Sequence, residues 1–161
     1  MNTEVPHPTP EIARAVPTDA AAIHELQRLA YRSEAELCGD WNIPPLTEPL
    51  AATERALAEL LVLKATHGGR IVGAVRGRMA DDRTCRVGRL MVHPDAQGRG
   101  LGARLMRALE AATPEARRYE LFTGEKSARN LHLYAKLGYC VFRSERLSPQ
   151  VTLVFLQKAR A

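Results

Sequence analysis

Apolar residues recur at helical spacing in four stretches of the chain, and in about seven others they alternate with polar residues or run together as in strands. EIARAV, from Glu11, reads as the first strand. PTDAAAIHELQRLAYRSEAEL follows, with Thr18 or Asp19 as cap and Ile23, Leu26, Ala30 and Leu37 near helical spacing, which predicts an amphipathic helix. CGDWNIPPLTEPL then breaks helicity with three prolines and carries the single tryptophan, Trp41. A second helix is expected in TEPLAATERALAEL, starting near Thr47.

LLVLKATHGGRIVGAVRGRMA is two apolar runs around HGGR, whose paired glycines permit the positive φ angles of a tight turn, so it predicts a β-hairpin. TCRVGRLMV is a further strand, and LGARLMRALEAA a helix with Leu101, Leu105 and Leu109 on one face. YELFT reads as a strand, SARNLHLYAKLG as a helix with Gly138 as its C-cap, and YCVFRSER and QVTLVFLQK as two closing strands. An early hairpin, a central strand-helix-strand crossover and a terminal antiparallel pair imply an α/β fold of mixed α+β type. It should have a single mixed, mostly antiparallel sheet of about six to seven strands with about four flanking helices.

With 161 residues the chain suits one domain. Residues 1–10 are expected to form a disordered tail and residues 11–161 a single domain. No apolar run reaches membrane-spanning length, and MNTEVPHPTPE lacks the basic start and apolar stretch of a secretory signal, so a cytoplasmic location is expected. Cys38, Cys85 and Cys140 are widely spaced and odd in number, which predicts buried thiols rather than disulfides or a zinc site. The five histidines are scattered, and no metal is expected.

The net charge of +5 is carried largely by arginine, including Arg76, Arg78, Arg83, Arg86 and Arg89. A basic surface suits an anionic partner. Aromatics are few and no basic recognition helix is present, so a small phosphorylated ligand is expected rather than nucleic acid or a membrane.

The segment HPDAQGRGLGARLM, residues 93–106, narrows that ligand. It places Gly98, Gly100 and Gly102 at the entrance of the leucine-faced helix, where glycine weakens the helix by about 1 kcal/mol per position. A glycine turn leading into a helix exposes successive backbone N–H groups beside the positive end of the helix dipole, which makes a cradle for phosphate. Ala103 and Arg104 stand where a P-loop needs Lys and Ser or Thr. A dinucleotide fingerprint opens directly from its strand, whereas here five residues, including Pro94, separate Val92 from Gly98.

The remaining pattern is Q/R-x-x-G-x-G/A, met by Gln97, Gly100 and Gly102 after a strand ending V-H-P. With it, and with NLHLYAKLGY further on, the sequence resembles the GNAT superfamily of acyl-CoA-dependent N-acetyltransferases from EIARAVPTDAAAI onward. The resemblance implies acetyl-CoA as co-substrate. It also implies that backbone groups of Leu90, Met91 and Val92 bond the pantetheine arm as an added strand does. Gln97, Gly98, Arg99, Gly100, Leu101 and Gly102 would hold the pyrophosphate, and Asn130 and Tyr134, one helical turn apart, would meet the pantetheine and the sulfur.

Amide formation needs a neutral amine nucleophile, a donor for the tetrahedral oxyanion and an acid for the departing thiolate. A backbone N–H near Met91 or Val92 suits the oxyanion and Tyr134 suits the acid. The base stays open among Glu34, Glu36, Asp40, His93 and Glu125. Acetyl transfer to a primary amine of a small molecule or peptide is the expected reaction, with a non-catalytic acyl-CoA sensor of the same fold as the alternative. The family places its acceptor beside the first two helices, which makes Trp41 in their connection a substrate-binding candidate. A homodimer is compatible with these features.

Overall fold

The computed structural model describes residues 9–160. Seven strands form one sheet: β1 (Glu11–Arg14), β2 (Leu61–His67), β3 (Arg70–Met79), β4 (Thr84–Val92), β5 (Arg118–Gly124), β6 (Cys140–Arg146) and β7 (Thr152–Ala159). Their order across the sheet is β1-β2-β3-β4-β5-β7-β6. Only β4 and β5 pair in parallel, and the helix that crosses between them is the one read from the leucine spacing. The expected tail lies outside the described residues apart from Thr9 and Pro10.

The described helices are α1 (Ala20–Ala30), α2 (Arg32–Cys38), α3 (Pro44–Thr47), α4 (Leu50–Glu59), α5 (Leu101–Ala112) and α6 (Ala128–Lys136). Those of nine residues or more are α1, α4, α5 and α6, the four that the periodicity predicts. The first expected helix is divided into α1 and α2, because Tyr31 leaves the helical region at φ −85° and ψ 0° and its hydroxyl donates to Leu90 O on β4 at 3.2 Å. Pro44 and Pro45 open α3, where the fixed φ of proline suits a helix start. Glu48 and Pro49 are extended, so α4 starts at Leu50 and not at Thr47.

Strand alternation sends successive residues to opposite faces of the sheet. Leu63 and Val75 pack with Leu101, Leu105, Met106 and Leu109 of α5, while their neighbours Val62 and Ala74 pack with Ile23 and Leu26 of α1. Along β4 the phase changes: Cys85 and Val87 belong to the α5 side, yet Met91, also odd-numbered, belongs to the α1 side. The register explains it, since Arg76 opposes Gly88 but Ala74 opposes Met91, leaving one extra residue in β4. This is a β-bulge, and Arg89 sits in it at φ +49°.

Of the thiols expected to be buried, only Cys85 is; Cys38 is half-buried and Cys140 is exposed on the edge strand β6. Cys140 differs because an edge strand has a neighbour on one side only. Among the described residues no three His, Cys, Asp or Glu side chains cluster as a metal site requires, and no helix is long and apolar enough to cross a membrane.

Candidate active site

The two parallel strands separate shortly before the bulge. Pairing between β4 and β5 covers Thr84 to Arg86 against Arg118 to Glu120 and goes no further. Beyond it a groove of about 820 Å³ opens, walled by Leu90, Met91 and Val92 on one side and by α6 on the other. Met91 buries its side chain against α1, so its backbone is what the groove meets. A strand edge without a neighbour offers N–H and C=O groups to an extended ligand.

The groove runs to the glycine loop. Gly98 and Gly100 both have φ +77°, a left-handed conformation costly for residues with a Cβ, and open space surrounds the position each Cβ would take. Gly102 has a different role, because a Cβ there would stand 3.3 Å from Leu133 Cδ2, so it allows α5 and α6 to approach closely. Gly100 is the N-cap of α5, and Arg104 N, bonded to Gly100 O at 3.1 Å, closes the first helical turn. The amides before it have no intrahelical acceptor and face the cradle.

Side chains around the loop divide between two cavities. Arg99 and Arg104 turn away from the groove into a neighbouring cavity of about 310 Å³ with Arg70 and His93, and Arg104 Nη2 donates to Pro10 O at 2.9 Å. Arg99 therefore brings only its backbone to the loop. The cations that line the groove are Arg107, Arg129 and Lys136, none of which motif reading singled out. Arg129 donates to Gln97 Oε1. Arg107 follows Ala103 by four residues on α5, and that spacing from the glycine loop was the available signal.

A second cavity of about 260 Å³ adjoins the groove, and Tyr134 lies on its wall. Its position is set by the end of α6. Gly138 takes φ +96°, Gly138 N bonds Ala135 O at 3.1 Å and Tyr139 N bonds Tyr134 O at 3.0 Å, a Schellman ending. The Tyr139 ring then meets the Tyr134 ring edge-on, with centroids 6.0 Å apart. Burial first, and the nearby Tyr31 and Glu34 second, push the Tyr134 phenol above its ordinary value, so it stays protonated. Among the described residues Tyr134 Oη makes no hydrogen bond, which leaves it free as a donor.

Asn130, one turn before Tyr134, reaches both spaces. Its Nδ2 donates to Glu34 Oε1 at 3.3 Å and Thr123 Oγ1 at 3.4 Å. Trp41 is 55% exposed and lines neither space; Ile43, Pro44 and Pro45 of the same segment form the cavity wall instead, because the prolines of α3 turn the chain inward after Trp41. The carboxylates and histidine weighed as bases also separate. Glu34 lines both spaces, Glu36 only the groove and the exposed Glu125 only the second cavity. His93 faces the other side of the loop and Asp40 binds Asn42 N at 2.9 Å.

Residues 20–139 match the acetyltransferase (GNAT) family. The chain belongs to that family. It is 35% identical over 80 residues to uncharacterized N-acetyltransferases of Mycobacterium bovis and Mycobacterium tuberculosis, a match spanning about half of this chain (48%) and about half of theirs (51%).

Its fold is that of solved GNAT structures. The yncA protein of Salmonella typhimurium, solved with its cofactor acetyl-CoA, superposes with a TM-score of 0.71 at 24% identity over 94% of each chain. The PaiA N-acetyltransferase from Thermoplasma acidophilum in complex with coenzyme A gives 0.75 at 16% identity over 95% of this chain and 100% of that one. The ribosomal-protein-S18-alanine N-acetyltransferase from Escherichia coli gives 0.74 at 17% identity over 93% of each.

Proposed function

We propose that this GNAT chain transfers an acetyl group from acetyl-CoA to a primary amine by direct attack in a ternary complex. The observation that carries this reading is the meeting of two spaces: the groove between the separated strands, ending at the glycine loop, opens beside a cavity on whose wall the Tyr134 phenol has no hydrogen-bond partner among the described residues. Each substrate then has its own entrance, and the reacting atoms meet where the spaces join.

The groove fits acetyl-CoA from one end to the other. Gly98 and Gly100 leave room for a pyrophosphate against the amides of the loop, with Arg107 and Arg129 supplying positive charge. Leu90, Met91 and Val92 offer backbone groups to the pantetheine amides, and Asn130 Oδ1 accepts from one of their N–H groups. The N–H of Met91 or Val92 stabilises the oxyanion formed when the amine adds to the thioester carbonyl. Tyr134 Oη donates its proton to the thiolate as the C–S bond breaks.

The test is a pair of measurements on the purified protein: thermal unfolding with acetyl-CoA or NAD, and release of the free CoA thiol with a panel of primary amines. At about 100 times its dissociation constant a ligand adds about 2.7 kcal/mol of stability, a shift of several degrees. A shift with acetyl-CoA alone together with amine-dependent thiol release is expected. Binding without turnover on any amine would leave an acyl-CoA sensor, and no shift with acetyl-CoA would overturn the proposal altogether.

A further inference from the structure

Ser127 stands at the N-cap of α6, a position where a serine hydroxyl ordinarily accepts from an amide of the first turn, yet it makes no capping bond. Its hydroxyl, on a residue only 2% exposed, donates instead to Glu34 Oε1 at 2.7 Å. Asn130 Nδ2 donates to the same oxygen. Two donors from α6 thus fix one oxygen of a carboxylate carried by α2, while among the described residues Oε2 has no hydrogen-bond partner. Gly124 has no side chain to fill the space beside Oε2, which lies 3.8 Å from where a Cβ on Gly124 would be.

Glu34 is also at the junction. It lines both the groove and the second cavity, as do Tyr31, Leu90, Ser127 and Asn130. Past this point Leu37, Ile43, Pro44, Phe122, Leu147 and Val151 form a continuous apolar part of the cavity wall, with Glu125, Lys126 and Gln150 also lining the cavity. Leu37, Phe122 and Leu147 are each more than half exposed, an unusual state for large apolar side chains that share one cavity. The Arg89 guanidinium at this wall is already held by both Glu48 oxygens, which leaves Lys126 as the other cation lining the cavity.

Resting on the acetyl-transfer reading above, we propose that Glu34 is the carboxylate that receives the acceptor's ammonium and takes its proton, and that the acceptor is a compact primary amine whose body is apolar where it meets Leu37, Ile43, Phe122 and Leu147. Oε2 binds the ammonium, and one N–H proton passes to it and on to solvent through the open side of the cavity. The neutral nitrogen then forms the N–C bond with the thioester carbonyl, whose π electrons move to oxygen. As the carbonyl re-forms, the C–S bond breaks, the thiolate takes the Tyr134 proton, and the second N–H proton of the adduct restores the phenol. The balance is one amide, one CoA thiol and one proton released.

The test compares wild type with Glu34→Gln, whose side-chain oxygen still accepts from Ser127 and Asn130. Acetyl-CoA is one substrate, and 2-phenylethylamine, 3-methylbutylamine, L-glutamate and spermidine are the probe amines. The expected result is turnover of the two apolar amines by wild type, and in Glu34→Gln a loss of about 10²-fold or more in kcat/KM for the amine. The thermal shift with acetyl-CoA should be unchanged. The acid limb of kcat/KM against pH should vanish with Glu34. The other groups facing the two spaces are unchanged in the variant, namely Tyr31 and Tyr134, which burial pushes up, Glu48, held by Arg89, Cys38, Glu125 and Lys126 in the cavity, and Glu36, Arg107, Arg129, His132 and Lys136 in the groove, so a limb that vanishes belongs to Glu34.

Ser127→Ala, which loses no capping bond, should lower kcat for the amine while KM for acetyl-CoA stays constant. Wild-type kinetics and pH profile in Glu34→Gln would overturn the role of Glu34 and leave acetyl transfer standing. Preference for L-glutamate or spermidine would overturn the substrate class. A wild type that acetylates other primary amines but none of these would overturn the substrate class alone, and one that binds acetyl-CoA without turnover on any amine, or does not bind it, would remove both.

Discussion

Arg89 grips Glu48 through two nitrogens, Nε to Oε1 at 3.3 Å and Nη2 to Oε2 at 3.0 Å, and so ties the bulge of β4 to the turn before α4. Both side chains are about one-sixth exposed, 16% and 17%. Burial works to raise the Glu48 pKa, but hydrogen bonds from Arg89 and Gln27 outweigh it and hold the carboxyl below its ordinary value. Arg76 lies close by, its own charge disfavoured by burial and by Arg89.

Glu48→Gln should therefore destabilise the protein by on the order of 2 kcal/mol, because it leaves two neighbouring guanidinium groups without their carboxylate. A depressed pKa contributes stability above the ordinary carboxylate range and loses it as pH falls through the folded value. Urea unfolding of both forms should show a difference that is full near neutrality and shrinks below about pH 4.

Tyr134→Phe should lower kcat by about 10²-fold while leaving acetyl-CoA affinity within a few-fold of wild type. The ring and its contact with Tyr139 remain, and only the proton donor is lost. Steady-state rates together with titration of acetyl-CoA binding check this. Equal rates in both forms would reduce Tyr134 to a packing residue.

Gly100→Glu should abolish the acetyl-CoA thermal shift, since it puts a carboxylate into the open space of the cradle. The left-handed backbone at φ +77° adds a strain of about 1 to 2 kcal/mol. Gly100→Asn, which tolerates that conformation and brings no charge, separates the two effects. It should keep more of the shift.

Tyr139→Phe should leave stability unchanged or raise it. Among the described residues Tyr139 Oη is the one buried side-chain polar atom without a hydrogen-bond partner, and an unmet buried hydroxyl costs about 1 to 3 kcal/mol. The same substitution should soften alkaline unfolding. Burial raises the pKa of Tyr134 and Tyr139 in the fold, whereas in the unfolded chain both ionise near pH 10. Above that pH the unfolded chain binds fewer protons, so stability falls by about 1.4 kcal/mol per pH unit for each residue. Unfolding between pH 9 and about 11 should show a shallower fall in Tyr139→Phe.

Much of the architecture is written in local pattern. The Leu101, Leu105 and Leu109 spacing determines both α5 and its buried face, Gly68 and Gly69 determine the β2–β3 turn, and Gly98 and Gly100 determine the cradle, since each depends on periodicity or on backbone freedom at its own position. Asn130 and Tyr134 were singled out by the resemblance of NLHLYAKLGY to the GNAT pattern, and α6 sets them one turn apart.

Contacts between distant segments were not legible. No local feature marks Tyr31 as a break in the helix, because the bond that fixes it comes from Leu90. The bulge at Arg89 appears only when β3 supplies a register to violate. Arg99 faces away from the groove and Arg107 into it because loop and helix direct side chains by three-dimensional geometry that motif spacing does not encode. Glu34 is one carboxylate among several in the sequence, and it is distinguished only when α6 brings Ser127 and Asn130 against it. The sequence by itself determined the elements and the open glycine loop before α5; the tertiary structure alone decided which charges share a cavity, because proximity between residues nearly a hundred positions apart is a property of packing and not of pattern.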